Sequence, residues 1–165
     1  MKSLIPDQIN SALDSIVTKC FEGNRIADRG MSILSVKFAM NNAEKLLHPK
    51  LAHLFPQLAD VVSGFQDSRG ALTAYGLTPE DVTDYESPLD FFIRILDYCQ
   101  DLEGLVSEAI EISSSSDMIT YAFLIKFLRQ VSDVTAQCIL LVDKAEIYGN
   151  DHMAFDHRIE DFIIL

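Results

Sequence analysis

Residues 86–110 read ESPLDFFIRILDYCQDLEGLVSEAI, and this stretch decides the fold class. Ser87 suits a helix N-cap, because its side-chain oxygen can take a first-turn N–H that has no partner inside the helix. Pro88 follows at the first helical position, where its missing N–H costs nothing. Behind that start, Leu89, Phe92, Leu96, Cys99, Glu103, Val106 and Ile110 recur every three or four residues, the spacing of one helix face. No alternation of period two competes with it.

The same pattern spreads outward from this helix. On the C-terminal side, Ser113 to Ser116 reads as a loop and Asp117 as the cap of a helix carrying Tyr121, Leu124, Leu128, Val131, Cys138 and Val142. Gly149-Asn150-Asp151 stops that helix, and Phe155 to Leu165 forms a short amphipathic end piece. On the N-terminal side, Leu77 to Glu86 has no helical period and is a connector. Before it, His48-Pro49 opens a helix with Leu51, Phe55, Leu58, Val62, Phe65 and Leu72, ended by Gly76. Pro56 should kink this helix or mark its start. Ala27, Met31, Leu34 and Phe38 line an earlier run. A first helix carries Ile9, Leu13, Ile16 and Cys20 behind Pro6, and Gly23-Asn24 should break or kink the chain after it. The reading is an all-α bundle in one domain spanning residues 1–165, with an extra N-terminal helix and a short C-terminal helix.

The connector bears on topology. A helix of about 27 residues before it would be roughly 40 Å long. About 11 connector residues, nearly extended, reach roughly 36 to 40 Å. A long crossover that lets the helices on either side run parallel is thus permitted, whereas a simple up-down bundle needs only a few residues there.

Composition bounds the function. The 165 residues carry 25 Asp and Glu against 13 Lys and Arg, a net charge of −12. That balance argues against a general phosphate-backbone binder, which neutralises phosphates with Lys and Arg. With 48% hydrophobic residues, 7 Gly and 5 Pro, disordered and collagen-like classes are excluded. Cys20, Cys99 and Cys138 are an odd set without Cys-x-x-Cys spacing, so buried thiols in a reducing compartment are expected. MKSLIPDQIN lacks the apolar core of a signal peptide, and no apolar run nears the roughly 20 residues that span a bilayer. A cytoplasmic protein without membrane association is the expectation.

Glu86-Ser-Pro-Leu-Asp-Phe-Phe92 resembles the start of the third bundle helix of bacterial non-haem ferritins. Phe123-Leu-Ile-Lys-Phe127, Val142-Asp-Lys144 and Gly149-Asn-Asp151 resemble the fourth helix and its end. The likeness covers about the last 80 residues, and the first half could also follow the DNA-protecting mini-ferritins of the same superfamily. It implies a ferritin-like four-helix bundle with the long crossover. The family holds two irons with carboxylates and His from facing helices, commonly a Glu-x-x-His pair. This sequence has no Glu-x-x-His. The resemblance places the second-helix Glu and His near Val62 and Phe65, the third-helix Glu on Cys99, and the fourth-helix Gln on Val131 beside Gln130. It places the first-helix Glu around Asp28 or Arg29. A mini-ferritin alignment puts one family His near Met40 and the other near His53.

Four carboxylates are candidate metal contacts: Asp60, Asp67, Glu103 and Asp133. Glu103 lies on the apolar stripe, and the resemblance sets Asp133 near an accessory acidic iron site. Arg69 could pair with Glu103 or another carboxylate where the metal once stood. His48 with His53 and His152 with His157 are each spaced i, i+5, which does not stack on one α-helical face, so surface or capping roles are expected. The Ser113–Ser116 run needs no role beyond a loop, and no phosphate loop or nucleophile elbow occurs.

The leading expectation is a homo-oligomer or cage subunit related to iron storage, with weak or absent ferroxidase activity and iron as the metal the resemblance implies. Phe162-Ile-Ile-Leu165, exposed on a monomer, and a mean hydropathy of +0.15 favour assembly. The alternatives are a non-enzymatic helical interaction module and a metal-binding protein with an unconventional carboxylate site.

Overall fold

The computed structural model describes residues 2–165, and every regular element in them is helical. The first, α1, runs unbroken from Asp7 to Val36. Among the described residues the two runs flanking Gly23-Asn24 are one helix, so the expected extra N-terminal helix is part of the first bundle helix. Glycine costs about 1 kcal/mol in a helix interior, and here close packing offsets it. A Cβ at Gly23 would run into the Tyr98 ring, and one at Gly30 into the Phe91 ring. Both glycines are places where a distant aromatic side chain lies against the backbone of α1.

The second bundle helix comes in pieces: α2 (Asn41–Leu47), a π-helical turn (His48–Ala52) and α3 (Leu54–Ser68). Pro49 sits inside the wide turn and cannot donate to the helical ladder. The His53 N–H bonds to the His48 carbonyl at 3.1 Å, five residues back, which is the π pattern. The helix ends at Ser68, earlier than Gly76. Gly70 adopts a left-handed φ of 69°, the Gly70 N–H bonds to Asp67 and the Ala71 N–H to Gln66, closing a Schellman cap.

Residues 71–86 then run extended along α1. Asn10 donates to the Leu72 carbonyl, Asp14 accepts from the Ala74 N–H, and Thr18 accepts from the Gly76 N–H. Further along, Arg29 donates to the Thr83 carbonyl and Lys37 to that of Tyr85. These α1 residues are spaced in multiples of about one helical turn, so the connector travels in the same direction as α1 and spans it. The long crossover therefore exists. It delivers the chain to α4 (Pro88–Ser113), which opens with a capping box between Ser87 and Asp90. The helix α5 (Met118–Tyr148) is capped by Asp117.

Gly23 faces Tyr98 and Gly30 faces Phe91, so α4 runs antiparallel to α1. Gln66 near the end of α3 bonds to Asn10 near the start of α1, so α3 is antiparallel to α1 as well. Hence α3 and α4 are parallel, and α1, α2–α3, α4 and α5 form a four-helix bundle with a long crossover.

A short α6 (His152–Arg158) and a 3-10 turn (Ile159–Phe162) fold back over the bundle end. Asp156 accepts the N–H groups of Asn42 and Ala43, supplying a negative charge to the start of α2. Phe162 is buried and Ile163 and Leu165 half-buried, leaving Ile164 exposed. The C-terminal apolar residues thus pack largely on their own chain, because the buried Gln137 bonds to the Phe162 carbonyl and to the Ile164 and Leu165 N–H groups. No helix among the described residues is long and apolar enough to cross a membrane.

Candidate functional site

The bundle interior is carbon-lined. Val62, Cys99 and Val131 are fully buried. Phe65 is half-buried and stacked on Phe123, with ring centroids 4.0 Å apart and planes 3° from parallel. Among the described residues, Asp117 is the one buried carboxylate, and it serves as the α5 cap at the bundle end. None of the four histidines is buried.

The polar groups inside are neutral. Cys99 and Cys138 bring their Sγ atoms to 3.8 Å. Its contact with Cys138, together with burial, pushes the Cys99 thiol far up. Burial alone pushes Cys20 up to about 12. Both are protonated at neutral pH and poor nucleophiles. Tyr98, also buried, donates its hydroxyl to the Lys19 carbonyl.

The four candidate carboxylates are dispersed. Asp60 and Asp67 lie exposed on α3, Asp133 lies exposed on α5, and Glu103 is half-buried on α4. Among the described residues, none belongs to a group of three or more metal-ligating side chains. Arg69 makes no ion pair with Glu103. Its Nε has no partner, and the carboxylate its charge acts on is Asp117 at the bundle end.

A different group does converge. Asp28 of α1, His48 of the π-turn and His53 directly after it place ligand atoms within 4.8 Å of one another. His48 Nε2 lies 3.0 Å from Asp28 Oδ1, and His48 Nδ1 lies 3.1 Å from Glu44 Oε1. The His48 and His53 rings sit 4.7 Å apart. This cluster is partly open to solvent, in the seam where α1 meets the second bundle helix. Spacing of i, i+5 excluded the two rings from one face on the assumption of 3.6 residues per turn. The π-turn carries an extra residue and brings them into line. The available signal was Pro49, which removes a ladder hydrogen bond directly after His48.

No protein-family model matches this sequence, and no curated protein matches it. Solved structures do. An open pore ferritin from the hyperthermophilic archaeon Archaeoglobus fulgidus is 16% identical with a TM-score of 0.88, covering 98% of each chain. A closed form of the Archaeoglobus fulgidus ferritin, engineered by site-directed mutagenesis, has the same values. A humanized archaeal ferritin is 16% identical with a TM-score of 0.84, again over 98% of each chain. The agreement runs through the crossover and the whole bundle, and the chain has the fold of the ferritin-like superfamily.

Proposed function

We propose that this chain is the subunit of a homo-oligomeric, ferritin-like shell related to iron storage, in which the conventional ferroxidase ligands are lost. The observation that carries this reading is an apolar interior inside that fold. A pair of irons needs hard oxygen and imidazole donors turned inward. Val62, Phe65, Cys99 and Val131 offer carbon and one protonated thiol in their place. The donor chemistry does not fit a di-iron centre, so assembly and containment are the roles left to the fold.

The crossover supports assembly. Leu72, Tyr75, Leu77 and Val82 are 87%, 64%, 99% and 70% exposed, strung along the extended crossover. A single chain leaves that apolar strip in water, and a second copy laid against it would cover it. Open pore and closed forms are described among the similar structures, which supports subunits that enclose a space. With Asp117 the one buried carboxylate, the charge of −12 is at the surface and available to iron as cargo. Asp60, Asp67, Glu103 and Asp133 are proposed as individual contacts of that kind.

Size-exclusion chromatography with light scattering tests the assembly. A closed particle of many subunits is expected, and Leu77→Lys with Val82→Lys should break it into smaller species. A wild-type monomer or dimer would overturn the shell and favour an interaction module using the same apolar strip. Aerobic oxidation of Fe(II) should run no faster than a protein-free control, and a fast saturable phase would overturn the loss of the ferroxidase ligands.

A further inference from the structure

We propose that Asp28, His48 and His53 form a binding site for a divalent first-row transition ion such as Zn2+, with Glu44 as the positioning residue for His48. Two imidazoles and a carboxylate are a donor set that ions of borderline softness take, with a further position left to water. The ligand atoms already lie within 4.8 Å of one another. A tetrahedral ion with bonds of about 2.1 Å holds its ligand atoms about 3.4 Å apart. Asp28 and His53 are exposed, so their side chains can turn inward by that difference without disturbing the core.

The second nitrogen of His48 supplies an independent argument. A metal-ligating histidine commonly gives its other ring N–H to a carboxylate, which fixes the tautomer and aims the free nitrogen. Glu44 Oε1 holds His48 Nδ1 in this way, at 3.1 Å, one helical turn back. Nε2 then faces Asp28 and the open seam. Hydrogen bonding to two carboxylates would account for the placement of His48 alone. It gives no reason for His53 to lie with its ring 4.7 Å from the first. A shared ion accounts for both rings.

The backbone is built around this arrangement. The π-turn that aligns the two rings is tied to α1 by Asn24, whose side chain donates to the Ala52 carbonyl at 3.0 Å. Asp28 lies one turn further along α1, so the same seam that fixes the turn presents the third ligand. The site is contained in one chain, faces outward rather than into the bundle, and does not depend on the shell.

Zn2+ titrated into the full-length protein and followed by calorimetry should bind at one ion per chain. Asp28→Asn and His53→Ala should each weaken binding at least tenfold, and Glu44→Gln, acting through His48, about tenfold. Absence of binding, a stoichiometry of half an ion per chain, or unchanged affinity in Asp28→Asn or His53→Ala overturns the site. A second measurement needs no substitution. Carbethoxylation of histidines, mapped by mass spectrometry, should be suppressed by Zn2+ at His48 and His53 and unaffected at His157. Equal protection of all three overturns the assignment. Chromatography of the same samples reports the oligomer separately, so failure of the metal site and failure of the shell are told apart.

Discussion

The side-chain amide of Asn24, in the middle of α1, donates to the Ala52 carbonyl at 3.0 Å. In an unbroken α-helix that carbonyl would take the N–H four residues on, and residue 56 is a proline with none to give. Asn24 therefore completes a backbone bond that the second bundle helix cannot make for itself. Asn24→Ala should cost about 1 to 2 kcal/mol by leaving the carbonyl unpaired. With Pro56→Ala present, the loss should fall below about 0.5 kcal/mol, read as the coupling in a double-mutant cycle by urea denaturation. Equal losses in both backgrounds would show that the two residues act independently.

Glycines of this chain should respond to alanine with opposite signs. At Gly64, on α3, an added Cβ meets nothing within 4 Å, so Gly64→Ala should stabilise by about 0.5 to 1 kcal/mol through the lost backbone entropy of the unfolded chain. At Gly23 the Cβ strikes the Tyr98 ring, and Gly23→Ala should destabilise by about 1 to 3 kcal/mol as α1 and α4 are pushed apart. Thermal melts of the two variants beside wild type decide the point. A raised melting temperature in Gly23→Ala would mean that the rings do not need the bare backbone.

Asp117 links the α5 cap to acid stability. Burial works to raise its carboxyl, but hydrogen bonds from the Thr120 hydroxyl and N–H and from the Ile119 N–H, aided by the Arg69 charge, hold it below its ordinary 3.8. A carboxylate depressed in the folded state stabilises the protein above its unfolded value and loses that contribution as the pH falls through the folded one. Stability should therefore decline below about pH 4. Asp117→Asn, which still caps a helix, should flatten that decline, whereas Asp117→Ala should cost about 1 kcal/mol at neutral pH. Stability measured against pH for the three proteins gives the comparison, and an unaltered acid limb in Asp117→Asn would refute the linkage.

Gln137 is the anchor of the C-terminus. Buried on α5, it gives its amide to the Phe162 carbonyl at 2.7 Å and accepts the Ile164 N–H at 2.7 Å. Gln137→Leu should leave these groups unpaired, at a cost of about 1 to 3 kcal/mol. Hydrogen exchange at Ile164 should accelerate sharply while the centre of α5 stays protected. Unchanged protection at Ile164 would show that side-chain packing holds the segment without the amide.

What the sequence made legible depended on how far apart the deciding residues lie. The start of α4 could be read because Ser87, Pro88 and Asp90 are neighbours, and their chemistry is local. Gly23 was opaque, since the reason it does not end a helix is a ring on Tyr98, far along the chain. Gly76 drew the helix end away from Gly70 because both suit a left-handed cap, and only tertiary bonding chooses between them. The fate of Phe162 to Leu165 turned on Gln137, an amide that no hydrophobic pattern marks. At the seam of α1 and the π-turn, all the ligand types were visible as letters. Their meeting was hidden by a turn whose period differs from the one used to read them.

The crossover has a further consequence, for how the molecule is held in two. Its side-chain ties run to Asn10, Asp14, Thr18 and Arg29 of α1, to Lys37 at the end of that helix, and from Thr73 to Gln66 of α3. Cut near Leu77, the chain would yield two helical hairpins, each retaining its own loops and caps. What joins them is side-chain fit, with Tyr98 over Gly23, Phe91 over Gly30 and Phe123 on Phe65, together with hydrogen bonds across the cut: Tyr98 to the Lys19 carbonyl, Asn42 and Ala43 to Asp156, and Arg29 and Lys37 to the Thr83 and Tyr85 carbonyls. The protein is in this sense a pair of complementary fragments on a tether, and separately expressed halves should find each other and restore the bundle.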